Sequence, residues 1–470
     1  MRIHHKSKTL VKFFRFYVGI TGLFVTFLML FDTNASLAYK YYFLIPFVYS
    51  LAIVSSRRLT YNINHIGMMT LQAVMWVKYV LMPFVNCLAD YTLWLGISPN
   101  DVFIEASVFL TLYEMLAVLL TISVFQGKIY GSYREEQINV PKRVGIYIVV
   151  VILAMMIIII FPNLTSRYRY VFSTDLGHSL ADEELWLYGL WATVVDFGRL
   201  ILLLLIISYC KSSYDKRRRL LYVIIAILSA ITYLLFSLGI SRWSIATPGL
   251  ILTYMMMQLF EKHRKFILTC VGAVILVGLG VMSSIRMVYV DMIPSSTLWA
   301  DLLQMYFSGP KNIAFAIETK KYINATYGYF PLNVLLNDFF RSVAGFSQFT
   351  NSEASTIGIF NAFVYGHTNS QDQIIPLMGQ SFIYFGYFLA PLLTVVATIV
   401  MMYLDKKSYE STDIVKYYIF AYTAVWYARA MMLNATILFS HFTNTFCLFM
   451  IVKWINDHIV FVKKDVITKS

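Results

Sequence analysis

Apolar residues in this chain occur in long uninterrupted blocks, not in the single stripe of an amphipathic helix. A hydrocarbon core of ~30 Å needs about 20 consecutive, mostly apolar helical residues, and the chain supplies such runs repeatedly. Irregular backbone cannot face lipid, so each block is expected to be a helix. We predict about twelve spans, at 14–31, 41–56, 66–88, 102–125, 144–162, 187–209, 220–238, 243–260, 266–282, 377–404, 414–431 and 435–456.

One connection, residues 283–376, is too long and too mixed in composition to be a simple turn. Within it, WADLLQMYF and NVLLNDFFRSV carry apolar residues at helical spacing with charges between them. This pattern is typical of short helices at a membrane interface. The pattern therefore predicts an all-α polytopic membrane protein with one integral membrane domain, 1–470, and one large loop between spans nine and ten.

Lysine and arginine are distributed unevenly between the two sets of loops. The positive-inside rule places the loops rich in Lys and Arg in the cytoplasm. These include the N-terminal segment and the clusters at 216–219 and 262–265, so both termini are predicted to be cytoplasmic and the 283–376 loop extracytoplasmic. The net charge of +13 is then mainly a topology signal, and it does not indicate nucleic-acid binding.

Several chemical motifs are missing from the sequence. There is no GxxxxGK[ST], HExxH, GxSxG or metal-holding DxD, and the four cysteines show no CxxC spacing. The first outer loop has Asp32 as its single acid, which does not favour the acidic first-loop centre of oligosaccharyltransferase-like enzymes. We therefore expect no metal, no cofactor and no cytoplasmic nucleotide-using active site.

Four arginines on the predicted extracytoplasmic side are the first candidate site: Arg242, Arg286, Arg341 and Arg429. Guanidinium is always charged and binds phosphate oxygens in a bidentate manner, which suits the diphosphate of a lipid carrier. Alternatively, each arginine extends to lipid head groups or pairs with a loop carboxylate, as Asp338 and Arg341 could at i, i+3.

The polar stretch YGHTNSQDQ, residues 365–373, precedes the tenth predicted span. His367 or Asp372 is a candidate general base, because a base needs access to substrate and a pKa near the working pH. The alternative is a solvated loop in which Thr368 or Asn369 caps the next helix.

A third stretch, MYFSGPKNIAFAI at 305–317, combines a helix break with a cation. Gly309-Pro310 should end one helix and begin another, leaving Lys311 and Asn312 in a first turn where backbone N–H groups favour anions. A simple helix-turn-helix connection explains the same residues.

Four charged residues lie inside apolar blocks: Lys78, Glu114, Asp196 and Arg199. Charged residues in such positions indicate a functional role by default. Asp196 and Arg199, however, are spaced at i, i+3 and could neutralise each other within the bundle.

Five segments together resemble the Wzy-type polymerases of bacterial O-antigen and capsular polysaccharide. They are SLGISRW, MSSIRM, YFSGPKN, HTNSQ and IYFGYFLAPLL, and the resemblance covers mainly residues 230–400. Relatives carry Asp-Phe-Gly before the late span, whereas this chain has Tyr384-Phe385-Gly386. A role for that acid therefore does not transfer.

The resemblance implies a metal-independent, GT-C-like glycosyltransferase in the bacterial cytoplasmic membrane, with its active site on the extracytoplasmic side. It would transfer a growing glycan from undecaprenyl diphosphate to a second lipid-linked repeat unit, with membrane lipids and a chain-length regulator as further partners. On this mapping Arg242 and Arg286 contact the diphosphate and His367 is the base. Substrate binding is assigned to Arg341, Lys311, Asn369, Tyr306 and Arg429.

Two other functions fit the same pattern. An O-antigen ligase would share the fold and the arginines and differ in its acceptor. A twelve-span flippase or transporter of lipid-linked sugars would need related halves and broken helices near the midplane. We find no internal repeat, although Pro248 and Gly249 interrupt the eighth predicted span.

Overall fold

The structure is a computed structural model of the full chain. It describes residues 2–32, 37–60, 65–91, 99–130, 138–141, 143–172, 182–238, 243–287, 295–327, 332–343, 346, 349–350, 355–366 and 373–459.

The described chain is almost entirely helical, which agrees with the predicted all-α class. Up to residue 287 it contains α1 (Arg2–Phe31), α2 (Leu44–Ser55), α3 (Ile66–Trp76), α4 (Met82–Leu88), α5 (Asp101–Tyr130), α6 (Gly145–Ile160), β1 (Tyr168–Tyr170), α7 (Asp182–Arg217), α8 (Leu220–Leu235), β2 (Phe236–Leu238), α9 (Trp243–Leu259) and α10 (Arg264–Met287). It continues with α11 (Ser295–Phe307), α12 (Pro310–Tyr327), α13 (Leu332–Arg341), α14 (Thr356–Tyr365), α15 (Leu377–Phe385), α16 (Leu392–Tyr409), α17 (Ile414–Ala428), α18 (Ala435–His441) and α19 (Leu448–His458). A π-helical turn joins α3 to α4, and a second joins α18 to α19.

Among the described residues, seven helices or helix pairs are long and apolar enough to cross a membrane. They are Val11–Phe31, Leu37–Ser55, Ile66–Leu88, Asp101–Tyr130, Trp191–Arg217, Glu261–Val281 and Ala435–His458. These helices fit a membrane-embedded protein, as the blocks predict. The number of twelve and the GT-C arrangement stay predictions.

The predicted tenth span, 377–404, is wrong as a continuous helix. α15 ends at Phe385 and α16 begins at Leu392. Gly386 adopts φ +82°, a conformation that glycine accepts without steric cost, and Pro391 cannot donate a backbone hydrogen bond to the preceding turn. Lys320 of α12 donates from Nζ to the carbonyl oxygen of Phe382 at 2.7 Å, which stabilises the free C-terminal end of α15.

Residues 1–134, 290–407 and 423–441 form the first of two compact units. Here the loop helices are part of the core. α12 packs against α5, α14 and α15, and α11 packs against α4. Ile313 and Ile317 of α12 share a buried cluster with Leu110, Met378 and Phe382.

Residues 135–289, 408–422 and 442–470 form the second unit. α6 packs along α7, α7 along α8, and α10 along α8 and α9. A Cβ atom at Gly198 would lie 2.2 Å from Cβ of Ala154, so the close approach of α6 and α7 requires glycine there. β1 and β2 pair antiparallel, with Arg169 opposite Ser237.

Candidate functional site

Four predicted site residues lie in the first unit, on or beside the loop helices. Tyr306 is in α11, Lys311 is in the first turn of α12, Arg341 is the last residue of α13, and Arg429 follows α17. The polar contacts around them form two separate groups, one at the start of α14 and one at the corner between α11 and α12.

The structure does not describe the side chains of the other predicted site residues. Arg242, His367, Asn369 and Asp372 lie outside the described residues. Arg286 is in α10 of the second unit, where only its backbone is described. The pairing of Arg242 with Arg286 and the choice of general base therefore stay predictions.

Asp338 is the centre of the first group, which we call the Asp338 network. Asp338 is 2% exposed, and its carboxylate accepts hydrogen bonds from the backbone N–H of Thr356 at 3.2 Å and from the Thr356 hydroxyl at 2.5 Å. The Tyr384 hydroxyl donates at 2.6 Å and Gln380 Nε2 lies at 3.4 Å. Burial raises the pKa of Asp338, and the hydrogen bonds from Thr356, Tyr384 and Gln380 oppose that rise.

Gln380 connects this network to the start of α18. Its Nε2 lies 2.9 Å from the Thr356 hydroxyl and 2.7 Å from the Tyr384 hydroxyl, while its Oε1 accepts from the backbone N–H of Ala435 at 2.7 Å. The side chain is 0% exposed. One buried amide thereby links α14, α15 and α18, and a fully bonded polar network of this kind fixes one arrangement of its helices.

The alternative pairing of Arg341 with Asp338 is wrong among the described contacts. Arg341 donates from Nη1 to Oγ of Ser355 at 3.1 Å. Ser355 is the N-cap of α14 and accepts from the backbone N–H of Gly358 at 3.0 Å. Both charged residues of α13 are therefore directed to the first turn of α14, and not to each other.

His367 and Asn369 lie outside the described residues, but the residues on either side of 367–372 make defined contacts. α14 ends at Gly366, which has φ +72°. On the far side, Asn361 pairs with the backbone of Gln373: its Oδ1 accepts from the N–H at 2.9 Å and its Nδ2 donates to the carbonyl oxygen at 3.0 Å. Gln373 in turn donates from Nε2 to the Tyr365 hydroxyl at 2.9 Å.

The second group is the corner between α11 and α12, which we call the α11–α12 corner. α11 ends in a Schellman-type turn, with Ser308 at φ +54° and the Gly309 N–H donating to the carbonyl oxygen of Gln304 at 2.9 Å. Pro310 then begins α12, as its position predicts. A Cβ atom at Gly309 would lie 1.7 Å from Oε1 of Gln304, so a side chain at this turn would displace the Gln304 amide.

The corner is rich in buried polar groups. Lys311 is 4% exposed, and its Nζ lies 4.0 Å from Oδ1 of Asp301. Burial lowers the pKa of Lys311, and the Asp301 carboxylate partly offsets this. Oε1 of Gln304 accepts from the Lys311 backbone N–H at 3.4 Å, which places the Gln304 amide beside the first turn of α12.

Three polar atoms at the α11–α12 corner have no hydrogen-bond partner within the described part of the chain. They are Nε2 of Gln304, Oγ of Ser308 and Nδ2 of Asn312, and all three are buried. Buried polar atoms are nearly always bonded to protein, water or ligand. The corner therefore offers hydrogen-bond donors at a helix N-terminus, where an anion or a hydroxyl-bearing group is favoured.

Of the candidate cations whose side chains are described, Arg429 is the most deeply buried, at 1% exposure. It occupies the turn between α17 and a 3₁₀ segment, Ala430–Met432. Its guanidinium carbon lies 4.6 Å from the ring centroid of Trp426, and Trp426 stacks on His441 with centroids 4.8 Å apart. The cation–π contact with Trp426 stabilises the guanidinium at this turn.

Lys78 and Glu114 form a buried ion pair with 2.6 Å between Nζ and Oε2, and both side chains are 0% exposed. The Thr394 hydroxyl donates to Oε1 of Glu114 at 3.0 Å. The pair accounts for two charges inside apolar blocks without invoking a ligand. Lys78 also lies in the π-helical turn Val77–Leu81, a feature that often occurs near functional sites.

Sequence reasoning missed Gln304, Asn361, Gln373 and Gln380. A signal was present, since each is an amide within or beside an otherwise apolar run. The contacts that define the two groups, however, join residues 7 to 55 positions apart, beyond the local i, i+4 contacts such as Gln380 with Tyr384. No periodicity encodes such pairings.

Within the described residues, no group of three or more His, Cys, Asp or Glu side chains is arranged to hold a metal ion. Comparison of the chain with protein-family models, curated proteins and solved structures finds no match.

Proposed function

We propose that this protein is an extracytoplasmic glycan polymerase that transfers a growing chain from undecaprenyl diphosphate to a second lipid-linked repeat unit. The observation that carries the proposal is the burial of Lys311 and Arg429, at 4% and 1% exposure, in the unit that contains the loop helices. Charged residues inside a membrane-embedded chain are costly and mark substrate sites by default. A guanidinium held against an aromatic ring, as Arg429 is against Trp426, suits a diphosphate.

The reaction requires little beyond charge stabilisation and one proton acceptor. The anomeric carbon of the donor sugar loses its bond to the diphosphate oxygen, which leaves with the electron pair. A hydroxyl oxygen of the acceptor sugar forms the new glycosidic bond, and its proton passes to a base, for which His367 stays the candidate. Cations beside the leaving diphosphate would stabilise its developing charge, and such electrostatic stabilisation usually contributes most to catalysis.

On this proposal the enzyme lies in the cytoplasmic membrane of a bacterium, with both termini in the cytoplasm. The α11–α12 corner, with its donors beside Lys311, would bind sugar hydroxyls or phosphate. The Asp338 network would hold α13, α14, α15 and α18 together. Arg341 would then act by positioning α14, since it contacts the N-cap Ser355.

The test is genetic. The gene is deleted in its host and restored as wild type, Arg429→Gln, Arg286→Ala or Arg242→Ala, and surface glycan is separated on a gel. We expect single repeat units in place of a ladder for all three variants. Arg219→Ala, in a predicted cytoplasmic loop, is the matched control and should restore the full ladder.

The same gel separates the alternatives. Full-length chains from all three variants would reject the proposed site. Loss of every surface unit, including the single repeat, would favour the flippase, whereas polymer that accumulates on the lipid carrier without reaching its final acceptor would favour the ligase. Immunoblotting of membranes confirms equal amounts of each variant.

A further inference from the structure

The second unit contains a lipid-facing groove that the proposed function does not use. It lies between α6, α7 and α8, has a volume of about 600 Å³, and is lined mainly by apolar side chains. Met155, Leu202 and Leu228 line it and are exposed, so the groove opens to the surroundings of the chain. For a membrane-embedded protein those surroundings are lipid.

One end of the groove carries a cation, Arg199. Its Nη2 donates to the carbonyl oxygens of Tyr233 and Phe236, at the end of α8. The guanidinium carbon lies 4.7 Å from the Tyr168 ring centroid and 4.4 Å from the Tyr233 ring centroid. These contacts fix the plane of the guanidinium at the mouth of an apolar channel.

The charge of Arg199 is only partly accounted for by its neighbours. The C-terminal end of α8 contributes a partial negative charge. Asp196, one turn earlier on α7, accepts a hydrogen bond from the Tyr168 hydroxyl. Within the described contacts Arg199 uses only Nη2 for hydrogen bonds, so Nε and Nη1 remain as donors for a further oxygen ligand. Among the described contacts, Arg199 contacts aromatic rings and carbonyl groups, and not the carboxylate of Asp196 that the i, i+3 spacing suggests.

We propose that this groove binds one anionic phospholipid of the bilayer, with an acyl chain along α6, α7 and α8 and the head-group phosphate at Arg199. A cationic group beside apolar walls is complementary to such a molecule, because a phosphate accepts hydrogen bonds from guanidinium in pairs. The volume is in the usual range for one small ligand, roughly 300–1,000 Å³, and suits one hydrocarbon chain better than a long polyprenyl chain. The inference does not depend on the proposed function.

The test uses the full-length protein purified in detergent, stripped of lipid and titrated with phosphatidylglycerol or phosphatidylcholine. Native mass spectrometry counts bound lipid, and thermal unfolding reports stabilisation. We expect one phosphatidylglycerol per chain to bind at least about tenfold more tightly than phosphatidylcholine. Ser229→Phe, which fills the groove from its lining, should abolish binding of both lipids at this site. Arg199→Gln should remove the preference for phosphatidylglycerol and retain weak binding.

Two controls separate lipid binding from loss of structure. Leu276→Phe adds an aromatic ring at another exposed position of the second unit and should leave binding unchanged. Arg15→Gln removes an arginine in the first unit that likewise donates to helix-end carbonyl groups, those of Ile53 and Val54. It should lower stability without changing the lipid preference.

Equal affinity for the two phospholipids in the wild type, or unchanged binding in Ser229→Phe, would overturn the proposal. A polyprenyl phosphate that displaces phosphatidylglycerol from the wild type at lower concentration would also overturn it, because the groove would then be a carrier site. Neither result bears on the gel assay of polymerisation, so the two proposals can fail separately.

Discussion

In the first unit, the buried N-termini of α14 and α12 are satisfied in different ways. At the start of α14, the protein supplies its own anion, since Asp338 accepts hydrogen bonds from the backbone and hydroxyl of Thr356. At the start of α12, the neutral amide of Gln304 accepts a hydrogen bond from the backbone N–H of Lys311 at 3.4 Å. Asn312, Ser308 and Gln304 itself keep buried polar atoms without partners among the described residues.

The difference indicates separate roles. A helix N-terminus that already holds a carboxylate has no need for an external anion, and the network around it keeps the helices in place. A helix N-terminus with unfilled donors beside Lys311 can receive a phosphate, a sugar hydroxyl or ordered water. We therefore expect substitutions at the Asp338 network to affect stability first, and substitutions at the α11–α12 corner to affect activity first.

Asp338→Ala should have the largest effect on stability. It leaves the Tyr384 hydroxyl and the Thr356 backbone N–H without their acceptor in a buried site, at a cost of about 3 kcal/mol or more. Thermal unfolding in detergent measures the change. The control is Asp215→Ala, which removes a half-exposed aspartate paired with Lys211 and should change stability by less than about 1 kcal/mol. Equal unfolding temperatures for the two variants would contradict a structural role for Asp338.

Gly309→Ala should destabilise the α11–α12 corner by about 1–3 kcal/mol. The new methyl group would lie 1.7 Å from Oε1 of Gln304 and 2.9 Å from Sδ of Met82, so Gln304 must leave its position beside α12. Gly127→Ala is the matched control, because a Cβ atom added there would have no atom within 4 Å. That change should stabilise α5 by about 0.5–1 kcal/mol. A neutral result at Gly309 would show that the turn tolerates a side chain.

Local patterns account for much of this architecture. The apolar blocks predict the long helices, helical spacing predicts α11 and α13, and Gly309-Pro310 predicts the break before α12. Each of these depends on residues within one or two turns of each other. The interruption of the tenth predicted span at Gly386 was missed, because a single glycine in an apolar run is compatible with either a helix or a break.

The Asp338 network was not predicted, since it depends on tertiary packing. Asp338 and Arg341 are spaced for an i, i+3 pair, and that local interpretation is reasonable for an isolated helix. In the folded chain, α14 brings Ser355 and Thr356 to the same surface and offers each charge a better partner. The burial of Lys311 is likewise invisible to composition, because it arises from the packing of α11 against α4 and of α12 against α5.

Asn312→Leu distinguishes the two regions most directly. It replaces a buried amide that has an unpartnered Nδ2 among the described residues by an apolar side chain of similar size, so stability should change by less than about 1 kcal/mol or increase. If the corner binds substrate, the glycan ladder in the gel assay should nevertheless be shortened or lost.

Asn361→Leu is the matched control for Asn312→Leu. It removes an amide that makes two hydrogen bonds to the backbone of Gln373, at 2.9 and 3.0 Å, so stability should fall by about 2 kcal/mol or more. Asn312→Leu with wild-type stability and a full ladder would mean that the α11–α12 corner holds water only.

The smallest expected effect is a difference in pH dependence between the two helix N-termini. Burial raises the folded-state pKa of Asp338, so its contribution to stability is complete below the unfolded value of 3.8 and is lost as pH rises through the folded value. Burial lowers the folded-state pKa of Lys311, so its buried charge lowers the free energy of unfolding, and this loss is relieved as pH rises from the folded-state pKa towards 10.5.

The unfolding temperature is measured against pH for the wild type, Asp338→Asn and Lys311→Met. In Asp338→Asn, the unfolding temperature should no longer fall as pH rises above 3.8. In Lys311→Met, it should no longer increase as pH rises towards 10.5. A ligand anion bound at the α11–α12 corner would raise the pKa of Lys311 and shift only the alkaline part of the curve of unfolding temperature against pH. A shift of the acidic part would instead place the ligand at α14 and contradict the roles assigned to the two helix N-termini.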